Sequence, residues 1–189
     1  MKIFFLIVTF LTSVIVTAQL KKDLDYDGKL DYVDLNDDYA IVCKLSSQNY
    51  KAVKSRVDVA DGMVGNISPT KNGFSLYVSF NRGDHAMQFR YEPKEKKIRL
   101  IGMRYSYFGP ANNDGSGDGS VNLLTNSYIG EWNYFSLQEN QLIKLPTIKK
   151  KMTFPKIYLE TFDYKYFYQF QEKSDQWSLE LRDKAKKME

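Results

Sequence analysis

The chain has almost no thiol or imidazole side chains, with one cysteine and one histidine among 189 residues. An internal disulfide, a Cys-x-x-Cys redox pair and a Cys/His zinc cluster are therefore excluded. The sequence also lacks the Gly-x-Ser-x-Gly, His-Glu-x-x-His and Gly-x-Gly-x-x-Gly motifs of common enzyme classes. A net charge of +4 is too small to indicate nucleic-acid binding, which requires a concentrated basic face. These absences favour a non-catalytic protein with no nucleic-acid partner.

What the sequence does contain is typical of a folded globular chain. Hydrophobic residues make up 43% of it, charged residues 26% and aromatic residues 15%. We expect Cys43 to be a buried core residue, because it ends the apolar run Tyr39-Ala40-Ile41-Val42-Cys43.

The first eighteen residues are typical of a secretory signal peptide. Lys2 supplies a positive start, an apolar run follows from Ile3, and Val16-Thr17-Ala18 places small residues at a cleavage site. The run is shorter than the roughly 20 residues that a membrane span needs. The sequence therefore predicts export to the periplasm or the extracellular space. It also predicts a single mature domain, residues 19–189, without a membrane span.

Most of the remaining segments are predicted to be β-strands. Gly73–Phe80 alternates apolar and polar residues with the period of a half-buried strand. Met87–Tyr91 and Lys97–Met103 flank a polar turn and predict an antiparallel hairpin. Further strands are expected in a set of shorter runs: Ala40–Leu45, Ser55–Val59, Val121–Thr125 and Tyr128–Phe135.

The end of the chain has a different pattern. From Tyr164 onward there is no Gly or Pro, and large apolar residues recur roughly at helical spacing. We therefore predict a mostly-β fold of antiparallel sheets, as a sandwich or a partly open barrel or blade, with a C-terminal helix packed on the sheet. The polar cluster between Phe80 and Met87 is predicted to be a turn, with His85 at the surface.

The chemistry of the sequence is concentrated in the twelve residues from Asp23 to Asp34. Acidic residues occupy positions 1, 3, 5, 9 and 12, and glycine occupies position 6. Ca²⁺ takes six to eight hard oxygen ligands. The predicted ligands are carboxylates and one backbone carbonyl, that of Lys29: Asp23, Asp25, Asp27, Lys29, Asp31 and Asp34.

Electrostatics and backbone geometry both favour this interpretation over a solvated acidic turn. Folding brings five mutually repelling carboxylates together, and a divalent cation relieves that repulsion. Gly28 can adopt the positive φ that a tight curl around an ion requires. Mg²⁺ is less suitable because it demands octahedral geometry and retains its waters.

The pattern Asp23-x-Asp25-x-Asp27-Gly28-x-x-Asp31 resembles the EF-hand-like calcium loop of FG-GAP (integrin-type) repeats, dockerins and VCBS-like secreted proteins. In the FG-GAP form the loop runs directly into a strand, as Leu30-Asp31-Tyr32-Val33 does here. The resemblance implies metal roles for the three leading aspartates, the Lys29 carbonyl and Asp31. Asp34 remains open, because a strand would carry it away from the ion. A wider likeness to VCBS-like periplasmic proteins whose fold resembles lysozyme inhibitors rests on length, export and the position of the loop.

A second loop has a weaker version of the same spacing. Asp114, Ser116, Asp118 and Asn122 offer oxygen at positions 1, 3, 5 and 9, with Gly119 at position 6. Only two of these are carboxylates. A mobile Gly- and Asn-rich turn is an equally good interpretation.

Three functions are compatible with the sequence. The first is an exported, non-catalytic calcium-binding protein that binds a macromolecule, either an enzyme or an envelope component such as a glycan. The second is a secreted glycan hydrolase that uses a pair of acidic side chains as acid and base. The third is a structural component of a surface assembly.

Overall fold

The computed structural model describes residues 19–56 and 64–187, apart from the side chain of Val64. The predicted signal peptide, residues 1–18, lies outside the described residues, as does most of the strand predicted over Ser55–Val59. In the described part the chain forms two antiparallel sheets and one long C-terminal helix, without a closed barrel. The predicted mostly-β, sandwich-like fold with a C-terminal helix is confirmed.

The smaller sheet contains the N-terminal strands in the order β1-β2-β3-β4. Its first hairpin pairs Lys22 with Asp31, so the acidic loop between β1 and β2 begins and ends at neighbouring positions. A short 3-10 helix, Ser46–Gln48, connects β3 to β4. The strands are β1 (Leu20–Lys22), β2 (Asp31–Leu35), β3 (Ile41–Lys44) and β4 (Ala52–Lys54).

The larger sheet has eight strands in the order β11-β10-β9-β8-β7-β6-β5. The eighth strand, β12, also pairs with β10. It pairs with residues 127–130 of β10, whereas β11 pairs with residues 133–136. The strands are β5 (Val64–Thr70), β6 (Gly73–Phe80), β7 (Gly83–Glu92), β8 (Lys97–Tyr107), β9 (Gly117–Asn122), β10 (Ser127–Ser136), β11 (Gln141–Lys144) and β12 (Ile148–Lys151).

Strand β6 has the bounds that its alternating sequence predicts. Phe74, Leu76 and Val78 are almost fully buried, whereas Tyr77 on the opposite face is 40% exposed. Strand alternation therefore separates a core face of the large sheet from an outer face.

The hairpin prediction is also confirmed, but the turn before it is shorter than predicted. Only Asn81 and Arg82 separate β6 from β7, and His85 lies within β7. The expectation of a surface histidine is therefore wrong: His85 is 2% exposed and packs against Phe167, with ring centroids 4.0 Å apart. Its Nδ1 is hydrogen-bonded to the Tyr164 hydroxyl. Burial lowers the pKa of His85 to about 4, so the ring is neutral at pH 7.

The predicted C-terminal helix, α1, spans Lys165–Lys186 and lies on the core face of the large sheet. Its Ser174 Oγ shares a 2.6 Å hydrogen bond with the Tyr128 hydroxyl, which also accepts a 3.2 Å bond from Trp132 Nε1. Beneath this cluster Gly119 pairs directly with Gly130, so no Cβ separates the tyrosine from the strands. The glycine pair lets the helix approach the sheet closely.

Buried side chains from both sheets and from α1 form a single hydrophobic cluster. The Leu35 side chain of β2 reaches over Gly65 toward Leu76, which places the small sheet on the core face of the large one. Within the described residues, no helix has the length and apolar character that crossing a membrane requires.

Asp175, on α1, gives the fold a specific pH dependence. Burial raises the pKa of its carboxyl from 3.8 to about 6. The native chain therefore binds more protons than the unfolded chain between these values, and this group makes stability fall as pH rises through that window. We expect Asp175→Asn to raise Tm at pH 7 by about 2–4 °C. This corresponds to about 1 kcal/mol after a discount for solvent screening.

Thermal melts of both proteins from pH 3.5 to 7.5 test this expectation. The gain should largely disappear by pH 3.5, where the wild-type carboxyl is protonated in the native state and mostly protonated in the unfolded state. His85 titrates in both proteins and therefore cancels in the difference. Glu172→Gln is the matched control, since it removes an exposed carboxylate from the same helix. An equal gain at pH 3.5, or an equal gain from the control, would contradict the assignment to Asp175.

Candidate metal centre

The acidic loop between β1 and β2 is curled by its own side chains. The two carboxylate oxygens of Asp23 accept the backbone N–H groups of Tyr26, at 2.7 Å, and Gly28, at 3.0 Å. Asp27 accepts the N–H of Lys29 at 2.8 Å. Gly28 has φ +84°, the left-handed conformation that the sequence predicts for it. Tyr26 has φ +66°, a left-handed conformation that the sequence does not predict for this residue.

This curl brings three of the predicted ligands together. One oxygen each of Asp23, Asp25 and Asp27 lies within 4.8 Å of the other two. Two oxygens on one Ca²⁺ can be at most about 5 Å apart, twice the Ca–O bond length. The spacing therefore allows all three carboxylates to contact a single ion. Among the described residues, this is the only group of three or more acidic, His or Cys side chains that meets such a criterion.

Two serines that sequence spacing did not single out hold the loop carboxylates in place. Ser46 Oγ donates a 2.6 Å hydrogen bond to Asp27, and Ser47 Oγ donates to Asp25. The Ser46 hydrogen bond, followed by the Lys29 amide, lowers the pKa of Asp27 and keeps it ionised. Both serines lie about twenty positions away in the sequence. Only the pairing of β2 with β3 brings them to the loop.

Asp31, the ninth residue of the loop, has both carboxylate oxygens engaged by the protein. It is completely buried and accepts 2.7 Å hydrogen bonds from the backbone N–H groups of Leu24 and Ser46. It ties the start of the loop to the 3-10 helix. Each oxygen retains a second lone pair, so a metal contact remains chemically available. Asp31 is not, however, one of the three residues whose oxygens converge.

The structure does not bring Asp34 to the converging carboxylates. Alternation along β2 buries Asp31 and Val33 on one face and leaves Asp34 on the other. Its Oδ1 accepts the N–H of Leu35 at 2.8 Å. We therefore omit Asp34 from the proposed ligand set. Lys29 follows Gly28 with its side chain exposed, and its carbonyl remains a predicted ligand.

Cys43 lies behind the loop as an inert core residue. It is 1% exposed, as expected from its apolar neighbours. Burial, reinforced by the carboxylates of Asp31 and Asp25, raises the pKa of its thiol to about 12. A thiol with this pKa carries almost no thiolate at neutral pH, which removes it as a nucleophile.

The second predicted loop is already occupied by protein contacts at its first two positions. Asp114 accepts the N–H of Phe135 at 2.8 Å and faces the Arg182 guanidinium at 3.7 Å. The Ser116 hydroxyl accepts a 3.2 Å hydrogen bond from the side-chain amide of Asn133. These contacts attach the loop to β10 and α1.

The remaining two positions of that loop are too far apart to share an ion. Asp118 and Asn122 both belong to the extended strand β9. Four residues of strand separate their backbones by about 13 Å. The structure therefore does not assemble Asp114, Ser116, Asp118 and Asn122 into one site.

Comparison with known proteins identifies no relative of this chain. No protein-family model matches the sequence, and neither curated proteins nor solved structures show a significant similarity to it. The interpretation of the site therefore rests on its geometry and chemistry.

Proposed function

We propose that this chain is an exported, non-catalytic protein that binds one Ca²⁺ between β1 and β2 and recognises a macromolecular partner. The observation that carries the calcium proposal is the convergence of Asp23, Asp25 and Asp27 within 4.8 Å. Three carboxylates, the Lys29 carbonyl and water supply the hard oxygen ligands that Ca²⁺ prefers. Export is supported by the signal-peptide pattern of residues 1–18.

The role proposed for the ion is structural. The loop carboxylates connect β1 and β2 to the 3-10 helix through Ser46 and Ser47. A bound cation would neutralise their mutual repulsion and so stabilise the small sheet where the chain enters the fold. Carboxylates that hold a calcium ion make poor proton shuttles, which favours a binding protein over an enzyme.

Calorimetry with and without calcium tests this proposal. Extracellular calcium modules have Kd values of about 10⁻⁴–10⁻³ M. At about 1 mM free ion and a Kd of about 10⁻⁴ M, binding stabilises the fold by about 1.4 kcal/mol. This corresponds to a rise in Tm of about 3–6 °C over an EGTA-treated sample.

Two variants make the test specific to the loop. Asp25→Asn removes a converging carboxylate and should abolish most of the calcium-dependent shift. Asp34→Asn removes a carboxylate from the other face of β2 and should leave the shift intact. A Tm that is equal in calcium and EGTA, with no heat of calcium binding, would overturn the proposal. A shift that MgCl₂ reproduces fully would overturn the choice of calcium.

A further inference from the structure

The outer face of the large sheet contains a groove of mixed polar and apolar lining that is separate from the acidic loop. Strand alternation directs Tyr77, Gln88, Arg104 and Ser120 away from the core, each from a different neighbouring strand. The groove between them has a volume of about 300 Å³, at the lower end of the range for ligand sites.

A β-bulge shapes the floor of the groove. Gln88 pairs with Gly102 and Phe89 pairs with Leu100, which leaves Ile101 as an extra residue in β8. Ile101 and Gly102 both line the groove. Bulges bend and twist a strand locally, so a concave surface forms where a regular sheet would be flatter. The absence of a side chain at Gly102 keeps that surface open.

Several polar groups that line the groove have no hydrogen-bond partner within the described residues. They are the hydroxyls of Ser75, Tyr77 and Ser120 and the side-chain amide of Gln88, all of which are in contact with solvent. Ser75 as a whole residue is only 4% exposed, but its hydroxyl retains some contact with solvent in the groove. Convergent polar groups in a concave site are the usual means of orienting a ligand.

Arg104 gives the groove its charge, because among the described residues it is the one ionised side chain in the lining. Its nearest carboxylate, Asp118, is 3.8 Å away, and both side chains are about half exposed. Exposed pairs of this length contribute little. Most of the five guanidinium N–H donors therefore remain available for a carboxylate of a ligand.

We propose that this groove binds a sugar chain that carries carboxylate groups, such as a uronate oligosaccharide. Arg104 pairs with the carboxylate, while Gln88 and the serine hydroxyls bind the sugar hydroxyls. The Tyr77 ring, 40% exposed, offers an apolar surface to the C–H face of a sugar ring. The site is independent of the calcium loop and does not rest on the calcium proposal.

The same features disfavour other ligand classes. A nucleic acid requires several cations along its backbone, and this groove supplies one. An extended peptide commonly binds by adding a strand to a sheet edge. The groove instead lies over strands β6 to β9, which are paired on both sides. A purely apolar ligand would leave the lining hydroxyls and amide without partners, at a cost in free energy.

Isothermal titration of the calcium-loaded protein at 150 mM salt tests the proposal. The probes are tetrasaccharides of hyaluronan and of polygalacturonate, with neutral cellotetraose and chitotetraose and monomeric glucuronate for comparison. We expect at least one uronate chain to bind with a Kd below 1 mM. Neutral chains and the free monomer should bind at least tenfold more weakly.

Variants locate the binding in the groove. Arg104→Gln should weaken uronate binding at least tenfold and remove the preference over neutral chains, and Gln88→Ala should weaken it severalfold. Ala86→Trp should fill the groove from its lining, because Ala86 is half-buried on the outer face of β7 and points away from the core. Arg90→Gln is the matched control, because Arg90 lies two residues from Gln88 on the same face but outside the groove, and it should leave binding unchanged.

Three results would overturn the proposal once circular dichroism shows that each variant is folded. They are no binding of either uronate chain at 1 mM, equal binding of neutral and acidic chains, or equal losses in Arg104→Gln and Arg90→Gln. Because the titrations can be repeated in EGTA, failure of the groove is distinguishable from failure of the calcium loop.

Discussion

Replacing Asp31 by alanine should lower the free energy of unfolding by about 3–5 kcal/mol. The fully buried carboxylate accepts hydrogen bonds from the backbone N–H groups of Leu24 and Ser46, each at 2.7 Å. Alanine removes two charge-assisted bonds and leaves two backbone donors without a partner in the core. Urea unfolding in EGTA, followed by far-UV circular dichroism, measures this loss without any contribution from calcium binding.

Asp34→Ala is the matched control for this measurement. Asp34 belongs to the same strand but is half-buried, and within the described part of the chain its side chain accepts only the N–H of the adjacent Leu35. Its loss should cost less than about 1 kcal/mol. If the two alanine variants unfold at the same urea concentration, Asp31 does not anchor the loop as described.

Gly130→Ala should destabilise the fold by about 2–3 kcal/mol, because the added methyl group displaces the side chains on which the C-terminal helix packs. A Cβ at this position would lie 2.8 Å from Trp132 Nε1 and closer still to the Tyr128 hydroxyl. The Tyr128 ring is 1% exposed, so it can move only by displacing Ser174 and with it the helix. We expect a lower urea midpoint and a change in tryptophan fluorescence, because Trp177 packs on Tyr128 with ring centroids 5.0 Å apart.

Gly65→Ala is the control for glycine replacement. At Gly65 the nearest atom to an added Cβ is the end of the flexible Leu35 side chain, at 3.3 Å. Only a small change in stability should result. Similar midpoints for the two variants would show that the close approach at Gly130 has no energetic consequence.

The sequence predicts this fold well wherever a local pattern decides the structure. Strand β6 alternates over its whole length, and its bounds match the prediction. The prediction for His85 is wrong because the polar run beside it resembles a turn, whereas pairing of β6 with β7 continues to Phe80 and Gly83. His85 then takes its place on the core face, against Tyr164 from a segment 79 residues away. No local pattern encodes that contact.

The same distinction applies to the candidate metal centre. The spacing of Asp23, Asp25 and Asp27 is local, and these side chains do converge. The contributions of Ser46 and Ser47 depend on strand pairing and could not be found from spacing. The sequence left Asp34 open because a strand after the loop would carry it away from the ion, and alternation along β2 places it on the other face from Asp31.

The two outer strands that share β10 have a consequence for solubility. A long, unbroken edge strand presents unpaired backbone N–H and C=O groups, with which strands of other chains can pair and form aggregates. Here that side of the sheet is divided between β11 and β12, and β12 carries three consecutive lysines, Lys149–Lys151. The opposite edge strand, β5, contains Pro69, which has no amide hydrogen to donate to an added β-strand. Both edges of the large sheet are thus poor templates for aggregation.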